Sequence, residues 1–268
     1  MRMRALSAPL LFTLLFTLTW SAAACGSSPT APPPPPPVDE EPPPPPPPPD
    51  PVPTFAITKI LAFGDSLTEG ESKGQLFQGL TDHSLPGIAT SYPFKLQALL
   101  ASVYTDQTFK VFNGGVGGER ADRSATRERL MQEMRDYKPQ VVLIMHGAND
   151  LIGAIIDDTD IGPAVNGVEE LVELARAQKL PVFLGSLPPE KDTSKAKGFA
   201  LVDEFNEALV DVAKEEGATF VDIHKVVNRN TMLMPDGLHP NETGNQKIAE
   251  AFYAALKAKY HREPATSR

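Results

Sequence analysis

Beyond residue 56, short apolar runs alternate with segments whose apolar residues recur every three or four positions. The apolar runs predict five β-strands, at residues 57–63, 109–112, 141–145, 181–184 and 219–223. The third run is apolar at every position, which is typical of a strand covered on both faces of a sheet. The chain therefore has the strand-helix rhythm of an α/β protein.

Helical periodicity fills the intervals between these strands. It predicts helices at about 93–102, 119–136, 168–175, 202–212 and 248–256. Pro93 suits the first turn of the first helix, and Gly217 is well placed to end the fourth. The second helix is highly charged, and we expect it to face solvent.

This alternation predicts a three-layer α/β/α fold with a doubly wound, flavodoxin-like sheet of five parallel strands. Right-handed crossovers favour the strand order 2-1-3-4-5, in which the first strand lies between the second and the third. Ligands of such sheets bind beyond the carboxyl ends of the strands, near the point where the strand order reverses. The residues that follow each strand are therefore the candidates for function.

The first residues have the pattern of an export signal. Two arginines precede an apolar segment at 10–20, and the small residues Ser21-Ala-Ala-Ala follow it, directly before Cys25. The apolar segment is too short to cross a membrane as a helix. Residues 1–24 resemble a bacterial lipoprotein signal peptide, which implies that Cys25 is lipidated; the alternative is ordinary cleavage with an incidental cysteine. In the lipoproteins of enteric bacteria, an aspartate directly after the lipidated cysteine marks retention in the inner membrane. Gly26 lies at that position here, so the resemblance implies a location at the outer membrane or the cell surface.

Residues 25–53 predict a linker, because 17 of the 28 prolines of the chain lie between Pro29 and Pro53. Proline runs adopt the extended polyproline II helix and form semi-rigid spacers. A ligand for a proline-recognition domain and a cell-wall contact are the alternatives. Residues 54–268 remain for the functional domain, which is long enough to bury a sizeable core.

Charge and cysteine content exclude several classes of function. The net charge of −9 argues against nucleic-acid binding, which normally requires a basic face. Cys25 is the only cysteine, so that no intramolecular disulfide can form. Cysteine nucleophiles and thiolate metal sites are likewise excluded from residues 54–268.

Four of the predicted strands are followed by residues that could take part in a reaction. Ser66 follows the first strand, Gly118 ends a glycine-rich turn after the second, and Asn149 follows the third. Asp236 and His239 follow the fifth, three residues apart. On one rim these residues would supply a nucleophile, a base with its orienting carboxylate, and amide donors for an oxyanion.

Each residue also has a simpler interpretation. Ser66 could be only a helix N-cap, Gly118 only a tight turn, Asn149 a loop cap, and Asp236 and His239 surface-loop residues. Two neighbouring residues are interpreted structurally: Asp65 is expected to brace the turn, and His146 is expected to pack at the end of its strand. The remaining histidines, His83, His224 and His261, form no metal-ligand pattern.

Taken in order, these segments resemble the blocks of the GDSL, or SGNH, hydrolase superfamily. The matching segments are Gly64-Asp-Ser-Leu67, Asn113 to Gly118, Gly147-Ala-Asn-Asp150 and Asp236 to His239. The resemblance implies a catalytic triad of Ser66, His239 and Asp236, with an oxyanion hole formed by the Ser66 and Gly118 N–H groups and the Asn149 side chain. It implies no metal or organic cofactor.

The function expected from this resemblance is carboxylic-ester hydrolysis at the cell envelope. The first expectation is a short-chain or aryl esterase or a lysophospholipase, and the second is a carbohydrate O-acetylesterase. A catalytically silent lipoprotein that binds glycan or a partner is the alternative from another class. We expect a monomer that acts on small-molecule or glycan esters and contacts the membrane only through its N-terminal lipid.

Residues 71–90 are expected to line the substrate pocket, because connections of this length often form sites.

Overall fold

A five-stranded parallel sheet forms the centre of the structure. The computed structural model describes residues 52–72, 75–76 and 83–264, with only the backbone of 71–72 and 75–76. The strands in these residues are β1 (Thr54–Phe55), β2 (Lys59–Gly64), β3 (Glu71–Ser72), β4 (Gln75–Leu76), β5 (Lys110–Gly115), β6 (Val141–Met145), β7 (Val182–Gly185), β8 (Thr219–Val221) and β9 (His261–Arg262). The main sheet has the order β5-β2-β6-β7-β8, with every pair parallel. The predicted order 2-1-3-4-5 is confirmed.

Helices cover both faces of this sheet. They are α1 (Ser66–Glu69), α2 (Tyr92–Val103), α3 (Ser124–Tyr137), α4 (Ala148–Asp157), α5 (Gly162–Ala177), α6 (Val202–Glu215), α7 (Ile223–Val226) and α8 (Glu242–Tyr260), with a 3-10 helix at Lys197–Leu201. Helix α2 packs on α8, where the rings of Tyr92 and Phe252 stack 5.3 Å apart, whereas α3, α5 and α6 pack in a row. All five residues of β6 are buried between the layers, as the apolar run predicts. The predicted α/β/α architecture is confirmed.

The second predicted helix needs a correction at its start and in its environment. Helix α3 begins at Ser124, not at residue 119, because tertiary hydrogen bonds hold the preceding segment in a loop. The Asp150 carboxylate accepts the N–H groups of Ala121 and Asp122 at 2.9 and 3.0 Å. The helix also does not simply face solvent, since Arg129 and Glu133 turn inward despite their charge.

Helix α4 was not predicted, although it carries Asn149 in its first turn. Gly147 precedes the helix with φ of +117°, and a Cβ at that position would meet the Phe205 ring at 2.5 Å. The β1–β9 ribbon and the β3–β4 hairpin were also not predicted, because each strand has only two residues. Gly217, with φ of +66°, lies just beyond the end of α6, as predicted.

The N-terminal predictions lie almost wholly outside the described residues. Of the signal peptide at 1–24 and the linker at 25–53, only Val52 and Pro53 are described. None of the helices in the described ranges is long and apolar enough to cross a membrane.

Candidate active site

Ser66 lies where β2 meets α1, on the rim formed by the carboxyl ends of the central strands. Asp65 is the N-cap of α1, and its side chain accepts the Leu67 N–H at 2.9 Å. The prediction that Asp65 braces this turn is confirmed. Because the cap fixes the turn, the Ser66 side chain has a defined direction at the end of the strand.

A chain of hydrogen bonds joins Ser66 to the loop between α7 and α8. The Oγ of Ser66 lies 2.9 Å from Nε2 of His239, and Nδ1 of His239 lies 2.7 Å from Oδ2 of Asp236. The structure therefore brings together the three residues that the sequence predicted as a triad, although Ser66 and His239 are 173 positions apart in the chain. Ser66 and His239 are only 5% and 4% exposed, so their hydrogen bond is largely shielded from solvent.

The Asp236 carboxylate is held from both of its oxygens. Oδ1 accepts the backbone N–H groups of Leu238 and His239, each at 3.0 Å, while Oδ2 faces the imidazole. Burial by itself raises the pKa of Asp236, but these hydrogen bonds outweigh burial and lower the pKa to about 2. Asp236 is thus ionised at neutral pH, so that it can fix the His239 tautomer and stabilise an imidazolium.

Gly118 belongs to a turn that also lies against Ser66. A Cβ at the neighbouring Gly117 would lie 3.8 Å from Cβ of Ser66, so the turn lies against the serine. Gly118 has φ of +79°, a conformation that favours glycine. The described residues provide no acceptor for the Gly118 N–H, which leaves this donor available.

Asn149 is tied to the same turn through the residue after Gly118. Its Nδ2 donates to the carbonyl oxygen of Glu119 at 3.0 Å. An amide nitrogen carries two hydrogens, so one remains for another acceptor. The loops after β5 and β6 are thereby joined at the positions where the sequence predicted amide donors.

The Glu119 side chain is the centre of a largely buried network of charges. Its carboxylate accepts Arg129 Nε at 2.9 Å and pairs with Arg129 Nη2, and its Oε2 lies 3.3 Å from Nε2 of His146. Burial alone raises the pKa of Glu119, but the hydrogen bonds from His146 and Arg129 outweigh burial and lower it. Arg129 also donates to Glu133 at 2.7 Å and lies 4.0 Å above the Phe63 ring. The network fixes the residue that connects Gly118 to Asn149.

His146 belongs to this network and not to the hydrogen-bonded chain of Ser66. It is fully buried at the end of β6, and its ring centroid is 6.2 Å from that of Phe63. The prediction that it packs at the strand end is confirmed, and the hydrogen bond to Glu119 adds to that role. Sequence reasoning missed Glu119 and Arg129, because a charged helix following a glycine-rich turn normally predicts a solvated surface.

Glu190, in the loop after β7, was also missed. It is only 2% exposed, and neither carboxylate oxygen has a hydrogen-bond partner. Burial and the neighbouring Asp65 charge raise its pKa to about 8, while the charge of His239 opposes the rise. Nothing in the sequence marks this residue except the preceding Pro188-Pro189 pair.

Two further predictions concern the surroundings of the site. The pocket expected from residues 71–90 falls in part on residues 73–74 and 77–82, which lie outside the described residues. Within 52–72, 75–76 and 83–264, no group of three or more histidine, cysteine or acidic side chains could hold a metal ion.

Comparison with known proteins places this site in context. Residues 62–247 match the model of the GDSL-like lipase/acylhydrolase family. An acetylxylan esterase of Xylanibacter ruminicola is 26% identical over an alignment of 227 residues, and the match covers 77% of this chain. The matched region covers 45% of that relative, so the chain spans less than half of its length.

Solved structures share the fold at lower sequence identity. A carbohydrate acetylesterase family member from Sinorhizobium meliloti superposes with a TM-score of 0.60 at 21% identity, over 75% of this chain and 98% of its own. An acetylxylan esterase from Geobacillus stearothermophilus gives a TM-score of 0.56 at 21% identity, over 75% and 96%. At these identities the superpositions establish the fold alone.

Proposed function

The chain belongs to the GDSL-like lipase/acylhydrolase family, and from this premise we propose that it is an ester hydrolase that removes O-acetyl groups from carbohydrates. The single observation that supports the chemistry is the unbroken hydrogen-bonded chain from Ser66 through His239 to Asp236. The acetylxylan esterase relatives support the choice of acetyl esters of carbohydrate over the other esters considered.

In the proposed first half-reaction, Oγ of Ser66 attacks the carbonyl carbon of the ester while Nε2 of His239 accepts its proton. The resulting oxyanion receives hydrogen bonds from the N–H groups of Ser66 and Gly118 and from Nδ2 of Asn149. His239 then passes the proton to the departing alcohol oxygen as the carbon–oxygen bond breaks. The products are the free sugar hydroxyl and an acyl-Ser66.

In the second half-reaction, water attacks the acyl carbon and His239 takes a proton from it. The second oxyanion collapses, the bond to Oγ of Ser66 breaks, and His239 returns the proton to Ser66. Acetate leaves and the enzyme is regenerated. Asp236 keeps Nδ1 of His239 protonated in both halves, so that Nε2 is the nitrogen that exchanges the proton.

The direct test is a substrate series with purified protein. We expect p-nitrophenyl acetate to react faster than the butyrate, octanoate and palmitate esters, and we expect acetate release from acetylated xylan. A maximum at octanoate or palmitate would instead favour the lipase or lysophospholipase branch. Failure to hydrolyse any of these esters would contradict the proposal and revive the alternative of a silent binding lipoprotein.

We also propose that the enzyme is exported and anchored by a lipid on Cys25, at the outer membrane or the cell surface. The support is the sequence pattern at 1–25 and the proline-rich spacer that follows it. Wild type should partition into the membrane fraction and incorporate labelled palmitate, whereas Cys25→Ser should do neither and should keep its kcat/KM on a soluble ester. Equal partitioning of both proteins into the soluble fraction would contradict lipidation.

A further inference from the structure

Glu190 has an arrangement that the proposed mechanism does not use. An isolated buried carboxyl group without hydrogen bonds is costly, and native structures normally pair such groups. Glu190 is almost completely buried, and both of its oxygens lack a hydrogen-bond partner. A side chain of this kind, in a segment that is hydrogen-bonded to the Asp236–His239 loop, indicates a role in contact with something that the protein binds.

The backbone holds Glu190 firmly beside the Asp236–His239 loop. On its N-terminal side, the Asn206 side chain brackets Leu187, accepting its N–H at 2.8 Å and donating to its carbonyl oxygen at 3.0 Å. On its C-terminal side, the Lys191 N–H donates to the carbonyl oxygen of Gly237 at 2.9 Å. Glu190 lies between these two anchors, so its position relative to His239 is fixed by the fold.

The electrostatic surroundings of the carboxyl group include two residues of the site. Glu190 interacts with the charges of Asp65, which precedes Ser66 in the chain, and of His239, whose Nε2 lies 2.9 Å from Oγ of Ser66. Its 2% exposure is comparable with the 5% of Ser66 and the 4% of His239, which any substrate must reach. The low exposure of Glu190 in the free protein therefore does not exclude contact between its side chain and the substrate.

We propose that Glu190 is a specificity-determining residue that hydrogen-bonds a hydroxyl group of the alcohol part of the substrate, next to the ester bond. This inference rests on the proposed function and names the chemical class that the site selects, an acetyl ester of a polyhydroxylated alcohol. A sugar hydroxyl can donate to one carboxyl oxygen and accept from the other when the carboxyl is protonated. The raised pKa of Glu190 favours that protonated form at neutral pH.

The test compares two acetyl esters that give the same acetyl-enzyme. Monoacetylated methyl xyloside carries free hydroxyls beside the ester, whereas cyclohexyl acetate has a ring of similar size without them. The measured quantity is the ratio of kcat/KM on the xyloside to kcat/KM on cyclohexyl acetate. Because deacylation is common to both esters, the ratio reports how the alcohol part is recognised.

Two variants separate hydrogen bonding from charge. Glu190→Leu removes both hydrogen-bonding atoms at similar size, and it should lower the ratio about five- to tenfold, the value of one lost neutral hydrogen bond. Glu190→Gln keeps one donor and one acceptor without a charge, and it should retain most of the ratio. An equal fall of the ratio in both variants, or no fall in Glu190→Leu, would overturn the proposal.

Thermal unfolding distinguishes a substrate-binding role of Glu190 from a structural role, because the two roles predict opposite changes in Tm. If Glu190 is kept for substrate at a cost in stability, Glu190→Leu should unfold at a temperature equal to or above that of wild type. A clear fall in Tm, or a Glu190→Leu protein that does not fold, would assign Glu190 to the framework and overturn the inference. Wild type that hydrolyses cyclohexyl acetate but does not prefer the xyloside would refute the role of Glu190 alone, whereas wild type that hydrolyses neither ester would refute the proposed function.

Discussion

His239 and Asp236 reach Ser66 through two direct hydrogen bonds between side chains, whereas Gly118 and Asn149 are joined to each other through Glu119. After the roles that the proposed mechanism gives them, we refer to Ser66, His239 and Asp236 as the proton-transfer side, and to Gly118, Glu119 and Asn149 as the oxyanion side. The proton-transfer loop carries its own support, since the Asp236 carboxylate is bound by N–H groups within three residues. The oxyanion side depends on Arg129 and His146, from two other elements.

This difference follows from what each side must do. A base and its carboxylate need one short, directed contact, which a four-residue loop can provide. Oxyanion donors need two separate loops at a fixed distance from each other, and a peptide turn alone does not set that distance. The charged network around Glu119 joins the loops after β5 and β6, so that the donors are in place before the reaction begins.

The largest expected effect is on the proton-transfer side. Ser66→Ala should reduce kcat/KM by about 10³-fold or more, and His239→Ala should cost nearly as much, because triad residues act as a unit. The double variant should be little worse than either single variant. The assay is p-nitrophenyl acetate hydrolysis, with circular dichroism to verify that the fold is retained. A Ser66→Ala protein that keeps most of its activity would remove the basis of the mechanism.

A smaller effect should come from the oxyanion side. Asn149→Ala should lower kcat by about 10²- to 10³-fold, typical of one lost oxyanion donor, and should change KM little, since the oxyanion exists only near the transition state. Asn149→Asp should be at least as harmful, because a carboxylate repels the oxyanion. Steady-state kinetics on both variants separate kcat from KM. An effect confined to KM would show that Asn149 binds the substrate in its ground state.

The network behind the oxyanion side should affect stability and activity together. Arg129→Met leaves Glu119 and Glu133 without their shared partner, and breaking a largely buried ion pair costs about 3 kcal/mol of unfolding free energy. The kcat should also fall, because Glu119 no longer fixes the two donor loops.

The matched control is Arg127→Met, on the same helix α3. Arg127 pairs with Glu170 at 2.7 Å at the surface, where Glu170 is about half exposed, and such pairs contribute less than about 1 kcal/mol. Urea unfolding and steady-state kinetics on both variants make the comparison. If Arg129→Met and Arg127→Met lose similar amounts of stability and of kcat, the network does not support the oxyanion side.

The same contrast explains which parts of the site could be predicted from the sequence. The strand order and the positions of Ser66, Asn149 and His239 follow from local patterns, because apolar runs and short motifs carry their own geometry. Glu119 and Arg129 look like residues of a solvated helix, since charge on a helix usually faces water. Their burial follows from partners that are close only in the folded chain.

Glu190 and helix α4 show a second limit of sequence reasoning. Glu190 follows two prolines in a loop, and only tertiary structure brings it near Asp65 and His239. Helix α4 begins within the Gly147–Asp150 motif, which resembles a loop in sequence, and its start depends on Gly147 lying against Phe205, a contact across 58 positions of the chain. Both features depend on long-range packing, which local propensity does not encode.

The smallest expected effect concerns acid stability on the proton-transfer side. The pKa of Asp236 is lowered from its usual 3.8 to about 2 in the folded protein. A group with a lowered folded pKa adds stability that is fully present above its unfolded pKa and is lost as pH falls toward its folded pKa. Between pH 5 and pH 2, wild type should therefore lose up to about 2 kcal/mol of unfolding free energy through this one carboxylate.

Asp236→Asn has no such ionisation, so the stabilities of the two proteins should converge as pH falls. Urea unfolding at pH 5, 4, 3 and 2 measures the convergence, and the subtraction cancels the other carboxylates, Glu119 among them. Parallel stability curves would mean that the imidazole and N–H contacts of Asp236 orient His239 without stabilising the fold.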